Sequence, residues 1–227
     1  MPWINGKQLH REAAQRSLAG LSPARVRLRA EALAAAEDLA RPAYCYRIVP
    51  LDEPAGTPLR AGGETLLADR LLPGSGELTG LACGTFTLGP EFEDRIRELF
   101  ADKRAALAVA LDEVANDMVI ALGRRLQDRM LMEVQRRGLS MAGELRAGDP
   151  GLDISAQPAV LRLAQAERIG VGLHGGHLLT PIKSGTVVCG VGHDLPPADW
   201  SRCDECPSAP RCRMRTRAAG AGSDLRA

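Results

Sequence analysis

The stretch AALAVALDEVANDMVIALGRRLQDRMLMEVQRRG, residues 105–138, decides the fold class. Apolar side chains recur in it at steps of three and four residues, the spacing of one face of an α-helix. These apolar residues are Leu107, Leu111, Val114, Met118, Leu122, Leu126, Met130 and Val134. Alanine and valine make the first half apolar on most sides. We therefore expect a buried central helix whose second half is amphipathic and faces the surface.

Further helices are predicted on both sides of this stretch. The helical pattern starts at Pro90 and breaks near Asp102, which can cap the second helix. A Ser-Pro pair opens a helix over residues 22–40, and a short helix precedes it. Another helix, capped near Ser155, is expected to run to about Glu167.

The strands are few and joined by turns. Tyr44–Val49 alternates loosely, Leu81–Thr87 reads as a second strand, and Leu139–Leu145 as a short third one. Residues 169–191 hold two or three antiparallel strands separated by turns, whereas residues 52–65 read as an exposed connection. Long helices with scattered, hairpin-linked strands predict an α+β fold with an antiparallel sheet.

The composition excludes several function classes. The chain has 227 residues, a formal net charge of +1 and 3% aromatic residues, which leaves little for binding or stacking on nucleic acid. No apolar run approaches the roughly 18 residues that a membrane helix needs. The start lacks the apolar stretch of a signal peptide. We expect a cytoplasmic protein that binds neither nucleic acid nor membranes.

Three thiols near the C-terminus form the sharpest local signal. Cys203, Cys206 and Cys212 are separated by gaps of two and five residues. Iron–sulfur clusters and zinc both accept such ligands, and zinc normally takes a fourth, so we expect an iron–sulfur cluster, with zinc as the alternative. The candidates for that fourth ligand are Cys189, His193, His174 and His177. Three unligated surface thiols are the alternative.

Two loops carry further candidate ligand-binding residues. In the loop 146–153, glycines permit close approach of a ligand, Arg146 can clamp a carboxylate, and Asp149 or Asp153 can accept from an amine or a hydroxyl. In the turn 180–186, Lys183 stands beside Ser184 and suits an anionic ligand. An ordinary turn and an exposed lysine are the simpler alternatives.

Several segments resemble the stand-alone relatives of the activation (reactivation) domain of vitamin B12-dependent methionine synthase. They are ARPAYCYRIVPL (40–51), TLGPEFEDRI (87–96), TPIKS (180–184) and the closing pattern Cys-x-x-Cys-x5-Cys-x-x-Arg. The order and spacing of the motifs carry the resemblance, which covers the chain from about Ser22 to Arg215.

The resemblance implies a twisted antiparallel sheet with long flanking helices that binds S-adenosylmethionine (AdoMet) and docks onto a corrinoid-carrying domain. In the family, an oxidised cob(II)alamin is reduced by one electron and trapped by a methyl group from AdoMet. The implied partners are a corrinoid-binding protein or B12-dependent methyltransferase and an electron donor such as a flavodoxin or ferredoxin. Because cob(I)alamin is itself the nucleophile, the protein need supply only position and electrostatics.

The resemblance also implies a ligand site. The family's AdoMet motif, Arg-x-x-x-Gly-Tyr, corresponds to residues 146–152, which are one residue longer and end in Leu152 where the tyrosine belongs. The turn 181–184 matches the second ligand-contacting region. The implied AdoMet-binding residues are Arg146, Gly148, Asp149, Gly151, Lys183, Ser184 and Gly185. Full-length methionine synthase lacks the cysteine tail, which indicates a separate or additional redox role.

These observations predict three regions: an activation-domain-like α+β domain over 1–200, a Cys-rich metal-binding tail over 201–217, and a disordered end over 218–227. The expected function is AdoMet-dependent reductive reactivation or methylation of a corrinoid carried by a partner. Two alternatives stay open. One is a non-enzymatic adaptor for a corrinoid protein, and the other is a small iron–sulfur or zinc redox or sensor protein.

Overall fold

The computed structural model describes residues 4–201 and 204–205, which form five α-helices and eight strands. The helices are α1 (Gly6–Ala14), α2 (Pro23–Leu39), α3 (Glu91–Ala101), α4 (Ala105–Arg136) and α5 (Gln157–Ala164). The strands are β1 (Ala43–Pro50), β2 (Leu59–Ala61), β3 (Glu64–Leu66), β4 (Glu77–Thr87), β5 (Ser140–Leu145), β6 (Gly172–His174), β7 (Leu178–Thr180) and β8 (Ser184–His193). Short 3₁₀ turns cover Asp69–Leu71, Ile154–Ala156 and Ala166–Ile169.

One four-stranded sheet organises the molecule. Its order is β1-β4-β8-β5, and every neighbouring pair is antiparallel. Two small hairpins, β2–β3 and β6–β7, stand beside it. The outer strand β5 carries a register shift between Ala142 and Leu145, where Gly143 has a φ of +70°. The predicted α+β class with an antiparallel sheet is confirmed.

The sheet separates two apolar layers. The layer with the four helices α1–α4 includes Phe86, Leu122 and Val187, and the layer with α5 and the β2–β3 hairpin includes Leu81 and Val188. All eight residues of the predicted α4 stripe are at most 5% exposed. Since burial of apolar surface is the main favourable term in folding, the stripe makes α4 the central helix that the sequence predicts. The first half is nevertheless not buried on most sides, because Ala105 and Ala106 are exposed and Val109 is 52% exposed.

Two predicted helix boundaries are wrong. Asp102 ends α3, with its backbone N–H bonded to Glu98, and α4 begins after Arg104 without a side-chain cap. The helix predicted to be capped near Ser155 is preceded by a 3₁₀ turn. Asp153 caps that turn by accepting from the backbone N–H of Ser155 at 2.8 Å. A carboxylate that accepts from an N–H two residues on competes well with a serine hydroxyl for this role. The helix that follows, α5, ends at Ala164.

The expected exposed connection at 52–65 is also wrong in part, because it contains the β2–β3 hairpin. Leu59 and Ala61 are each 1% exposed and pack into the α5 layer. The carboxylate of Asp52 accepts from the backbone N–H groups of Gly62 and Gly63, each at 2.9 Å. Both glycines have positive φ, so the turn needs residues without a side chain.

No helix among residues 4–201 and 204–205 is long and apolar enough to cross a membrane. The predicted metal ligands Cys203, Cys206 and Cys212, and the predicted disordered end over 218–227, lie outside the described residues.

Candidate functional site

The loop that follows β5 has a defined conformation. Gly148 and Gly151 have φ values of +96° and +95°, which other residues rarely adopt. The Gly148 N–H donates to the Leu152 carbonyl at 2.8 Å, and the Arg146 N–H donates to the Asp149 carboxylate at 3.0 Å. Four of the predicted ligand residues therefore shape this loop through their backbone or side chain.

A depression of about 340 Å³ opens beside this loop. Its polar lining consists of Asp69, Arg70, Asp149 and Asp153, together with the backbone of Gly151. Hydrogen bonds from Ser155 hold the pKa of Asp153 below its ordinary value, so this carboxyl is ionised at neutral pH. Three carboxylates against one guanidinium favour a ligand that carries positive charge.

Arg146 does not line the depression. Its Nη2 lies 3.1 Å from the Glu144 carboxylate, and its guanidinium carbon lies 5.8 Å from the centroid of the Phe86 ring. The side chain is 21% exposed. A ligand carboxylate at Arg146 would therefore compete with, or add to, an existing partner.

The second predicted region lies at the start of β8. The buried ammonium of Lys183 donates to Asp112 at 2.6 Å and to Asn116 at 2.8 Å, both on α4. The Ser184 hydroxyl donates to the Thr87 hydroxyl at 2.8 Å. Both side chains thus hold β8 to its neighbours.

Phe86 connects the two regions. A Cβ at Gly123 of α4 would lie 2.7 Å from Phe86 Cζ, and a Cβ at Gly185 would overlap the same ring. With Arg146 over the ring, the Phe86 side chain therefore contacts α4, the β8 start and the β5 loop. Sequence reasoning missed Phe86, although a lone glycine inside the α4 pattern is the usual sign of a close approach.

Arg70 and Asp69 were missed as well. A Cβ at Gly151 would lie 2.7 Å from Arg70 Cδ, so the arginine stem rests on the glycine of the loop. Nothing in the sequence signals this contact, because some 80 residues separate the two positions.

The described cysteines are core residues. Burial raises the pKa of Cys45 to about 11 and that of Cys83 to about 12, and it raises the pKa of Cys189 as well. All three are protonated thiols at neutral pH, and the position of Cys189, 2% exposed in β8, argues against it as a ligand of a surface centre. His174, His177 and His193 are exposed. No group of three or more His, Cys, Asp or Glu residues within the described ranges converges on a metal site.

The fold has a counterpart among solved domains. The mixed architecture with a four-stranded antiparallel sheet and long helices matches the fold of a reactivation domain. A matching solved structure is the MetH reactivation domain bound to AdoHcy, with a TM-score of 0.59 and 15% sequence identity. The match covers 82% of this chain and 69% of that chain. The chain matches no protein-family profile and no curated protein.

Proposed function

We propose that this protein binds AdoMet at the loop 146–152 and serves a corrinoid carried by a partner protein. The observation that carries the proposal is the fold shared with a reactivation domain that was solved with AdoHcy bound. The acidic depression beside Gly151 supports it, because AdoMet differs from AdoHcy by a methyl group and a positive charge on sulfur. Carboxylates of Asp69, Asp149 and Asp153 surround that depression.

The proposed reaction needs no acid or base from this chain. A low-potential donor of the flavodoxin or ferredoxin class passes one electron to the partner's cob(II)alamin and gives cob(I)alamin. The cobalt then attacks the methyl carbon of AdoMet, so that a cobalt–carbon bond forms and the sulfur–carbon bond breaks. The electron pair stays on sulfur, and AdoHcy leaves. The role of this chain is to hold the sulfonium in place, which is catalysis by positioning.

Calorimetry with AdoMet and AdoHcy tests the binding step. We expect both to bind, and we expect Asp149→Asn to weaken AdoMet more than AdoHcy because it removes a charge near the sulfonium. The matched control is Asp94→Asn on the exposed surface of α3, where Asp94 pairs with Arg97. Absence of heat up to millimolar AdoMet would remove the catalytic proposal. Formation of methylcobalamin from cob(II)alamin, AdoMet and a one-electron reductant tests the second step.

A non-enzymatic adaptor for a corrinoid protein is the second candidate function. Two observations favour it. Leu152, which occupies the position of the family's tyrosine, is 1% exposed and packs in the core. In addition, the charged groups of Arg146 and Lys183 already have partners within the chain. Capture of a corrinoid protein by a chain that gives no heat with AdoMet would establish this function.

We further propose that Cys203, Cys206 and Cys212 hold an iron–sulfur cluster, which gives the tail a redox role, or alternatively zinc, which gives it a sensor role without redox chemistry. Thiolates two and five residues apart can converge on one centre without help from the core. Anaerobic purification with iron, sulfide and zinc analysis distinguishes the two metals. A Cys203→Ser/Cys206→Ser variant should lose the metal, whereas the core variant Cys45→Ser should keep it. Finding neither metal, with all three thiols freely alkylated in the folded protein, would contradict this proposal.

A further inference from the structure

Arg70 contacts both the ligand loop and the segment that leads into the cysteine tail. Its stem rests on Gly151, and its guanidinium carbon lies 5.3 Å from the centroid of the Trp200 ring. Its Nη2 donates to the carboxylate of Glu205, which stands between Cys203 and Cys206 in the sequence. One side chain therefore joins the loop to Trp200 and Glu205.

The described part of this segment has its own contacts. The Ser201 N–H donates to the Asp204 carboxylate at 2.7 Å, and the Asp204 N–H donates back to the Ser201 carbonyl at 2.9 Å. In addition, a Cβ at Gly143 of β5 would lie 3.3 Å from Trp200 Cζ2. The indole thus contacts both the outer strand and Arg70.

One hydrogen-bond donor of the Arg70 guanidinium is not used by the described residues. Its Nη1 is buried and has no hydrogen-bond partner among the described residues. Arg70 also lines two depressions, the acidic one beside the loop and another of about 250 Å³ that Trp200 and residues 195–199 line. A buried donor without an acceptor is costly, so the guanidinium of Arg70 is incompletely satisfied in this arrangement.

We propose that Arg70 is a positioning residue, through which docking of Trp200 and Glu205 raises the affinity of the loop 148–152 for its ligand. Trp200 and Glu205 hold the guanidinium in one orientation. Binding a ligand then costs less conformational entropy of the Arg70 side chain. By the reciprocity of coupled equilibria, the ligand stabilises the docked segment by the same factor. The inference takes its ligand, AdoMet, from the proposed function.

The simpler alternative is a surface ion pair without consequence. Glu205 is 59% exposed, and exposed ion pairs contribute little to stability. The pair by itself does not carry the proposal. The proposal depends on the buried Nη1 and on the contact between the Arg70 stem and Gly151, neither of which a solvated pair would show.

The test uses the full chain with Trp3→Phe, which leaves Trp200 as the single tryptophan. The test variant is Glu205→Gln, and the matched control is Glu98→Gln, which removes the exposed pair of Arg95 and Glu98 on α3. We measure Trp200 emission, hydrogen exchange of the 148–152 amides, and the AdoMet dissociation constant. Glu205→Gln should change the emission, speed the exchange and raise the dissociation constant roughly two- to tenfold. Glu98→Gln should change none of them.

The outcomes separate this inference from the proposed function. If AdoMet does not bind the parent, the proposed function fails, and the emission and exchange data alone decide whether Arg70 couples the segment to the loop. If Glu205→Gln leaves emission and exchange at the parent values, the inference is wrong. If they change but the AdoMet dissociation constant does not, the effect on affinity is wrong. Arg70→Lys, which keeps the charge but loses the planar fork, should fall between the parent and Arg70→Ala.

Discussion

The carboxylate of Asp117 on α4 lies 2.8 Å from the guanidinium of Arg29 on α2, and neither side chain is more than 7% exposed. The other oxygen of Asp117 lies 2.8 Å from Arg16, just after α1. Arg29 also donates to the Ala13 carbonyl at 2.7 Å. This cluster ties three helices together through a buried carboxylate of α4.

Asp117→Ala should lower the free energy of unfolding by about 3 to 5 kcal/mol, because it leaves the Arg29 charge buried without its carboxylate. Urea denaturation followed by circular dichroism measures the change. Asp94→Ala, which removes an exposed carboxylate of α3, should cost less than about 1 kcal/mol. A loss of the same size in both variants would show that the Asp117 cluster is solvated.

Arg146→Ala should weaken AdoMet binding by about 1.5 to 3 kcal/mol, the range for a hydrogen bond to a charged group. The apo protein should lose no more than about 1 kcal/mol of stability, because the pair with Glu144 is partly exposed. Calorimetry and thermal unfolding of the same preparations measure both quantities. Arg137→Ala removes the exposed pair with Glu133 and serves as control. A loss of several kcal/mol in stability with unchanged affinity would make Arg146 a structural residue.

Lys183→Met should lower the free energy of unfolding by about 1.5 to 3 kcal/mol, because it removes two charged hydrogen bonds from the ammonium to α4. The cost stays below that of Asp117→Ala because Asp112 is 46% exposed and water can solvate it. Denaturation with Lys7→Met as control checks this prediction. If stability holds while AdoMet affinity falls, Lys183 contacts the ligand, as the sequence predicts.

The pH dependence of the free energy of unfolding should reveal the raised pKa of the buried Cys83 thiol. Burial raises the pKa of Cys83 from 9.0 to about 12 in the folded state. The unfolded chain loses this proton from about pH 9, so the stabilisation is complete below pH 9 and disappears as the pH rises toward 12. Between pH 9 and 11, the free energy of unfolding of Cys83→Ala should therefore fall less steeply with pH than that of the parent. The difference in slope should correspond to the release of up to one proton on unfolding. An unchanged slope would mean that Cys83 ionises in the folded protein.

The sequence predicts best where a pattern is long. The stripe of α4 runs over eight apolar residues, and Ser22 before Pro23 marks the start of α2, where its hydroxyl accepts from the Arg25 N–H at 3.4 Å. By contrast, β2 and β3 have three residues each, too few for an alternation to show. Their hairpin depends on Asp52, which reaches two glycine amides across the turn.

The candidate site was predictable only in its local parts. Loop 146–152 could be located because glycines and an arginine stand close together in the sequence. Arg70, Phe86 and Asp112 reach the predicted residues from other elements, and such contacts follow from packing of the whole sheet. This is why Lys183 could be located in a turn but its partners on α4 could not be foreseen.

The register shift at Gly143 bears on how the protein avoids aggregation. Outer strands present backbone N–H and C=O groups that can recruit a strand of another molecule. In β5 the shift interrupts the regular spacing of those groups, and the Trp200 indole packs against the same position. The other outer strand, β1, ends in Pro50, which has no N–H to offer. The outer strand β5 is therefore a poor template for intermolecular pairing, and Pro50 removes one donor from the edge at β1.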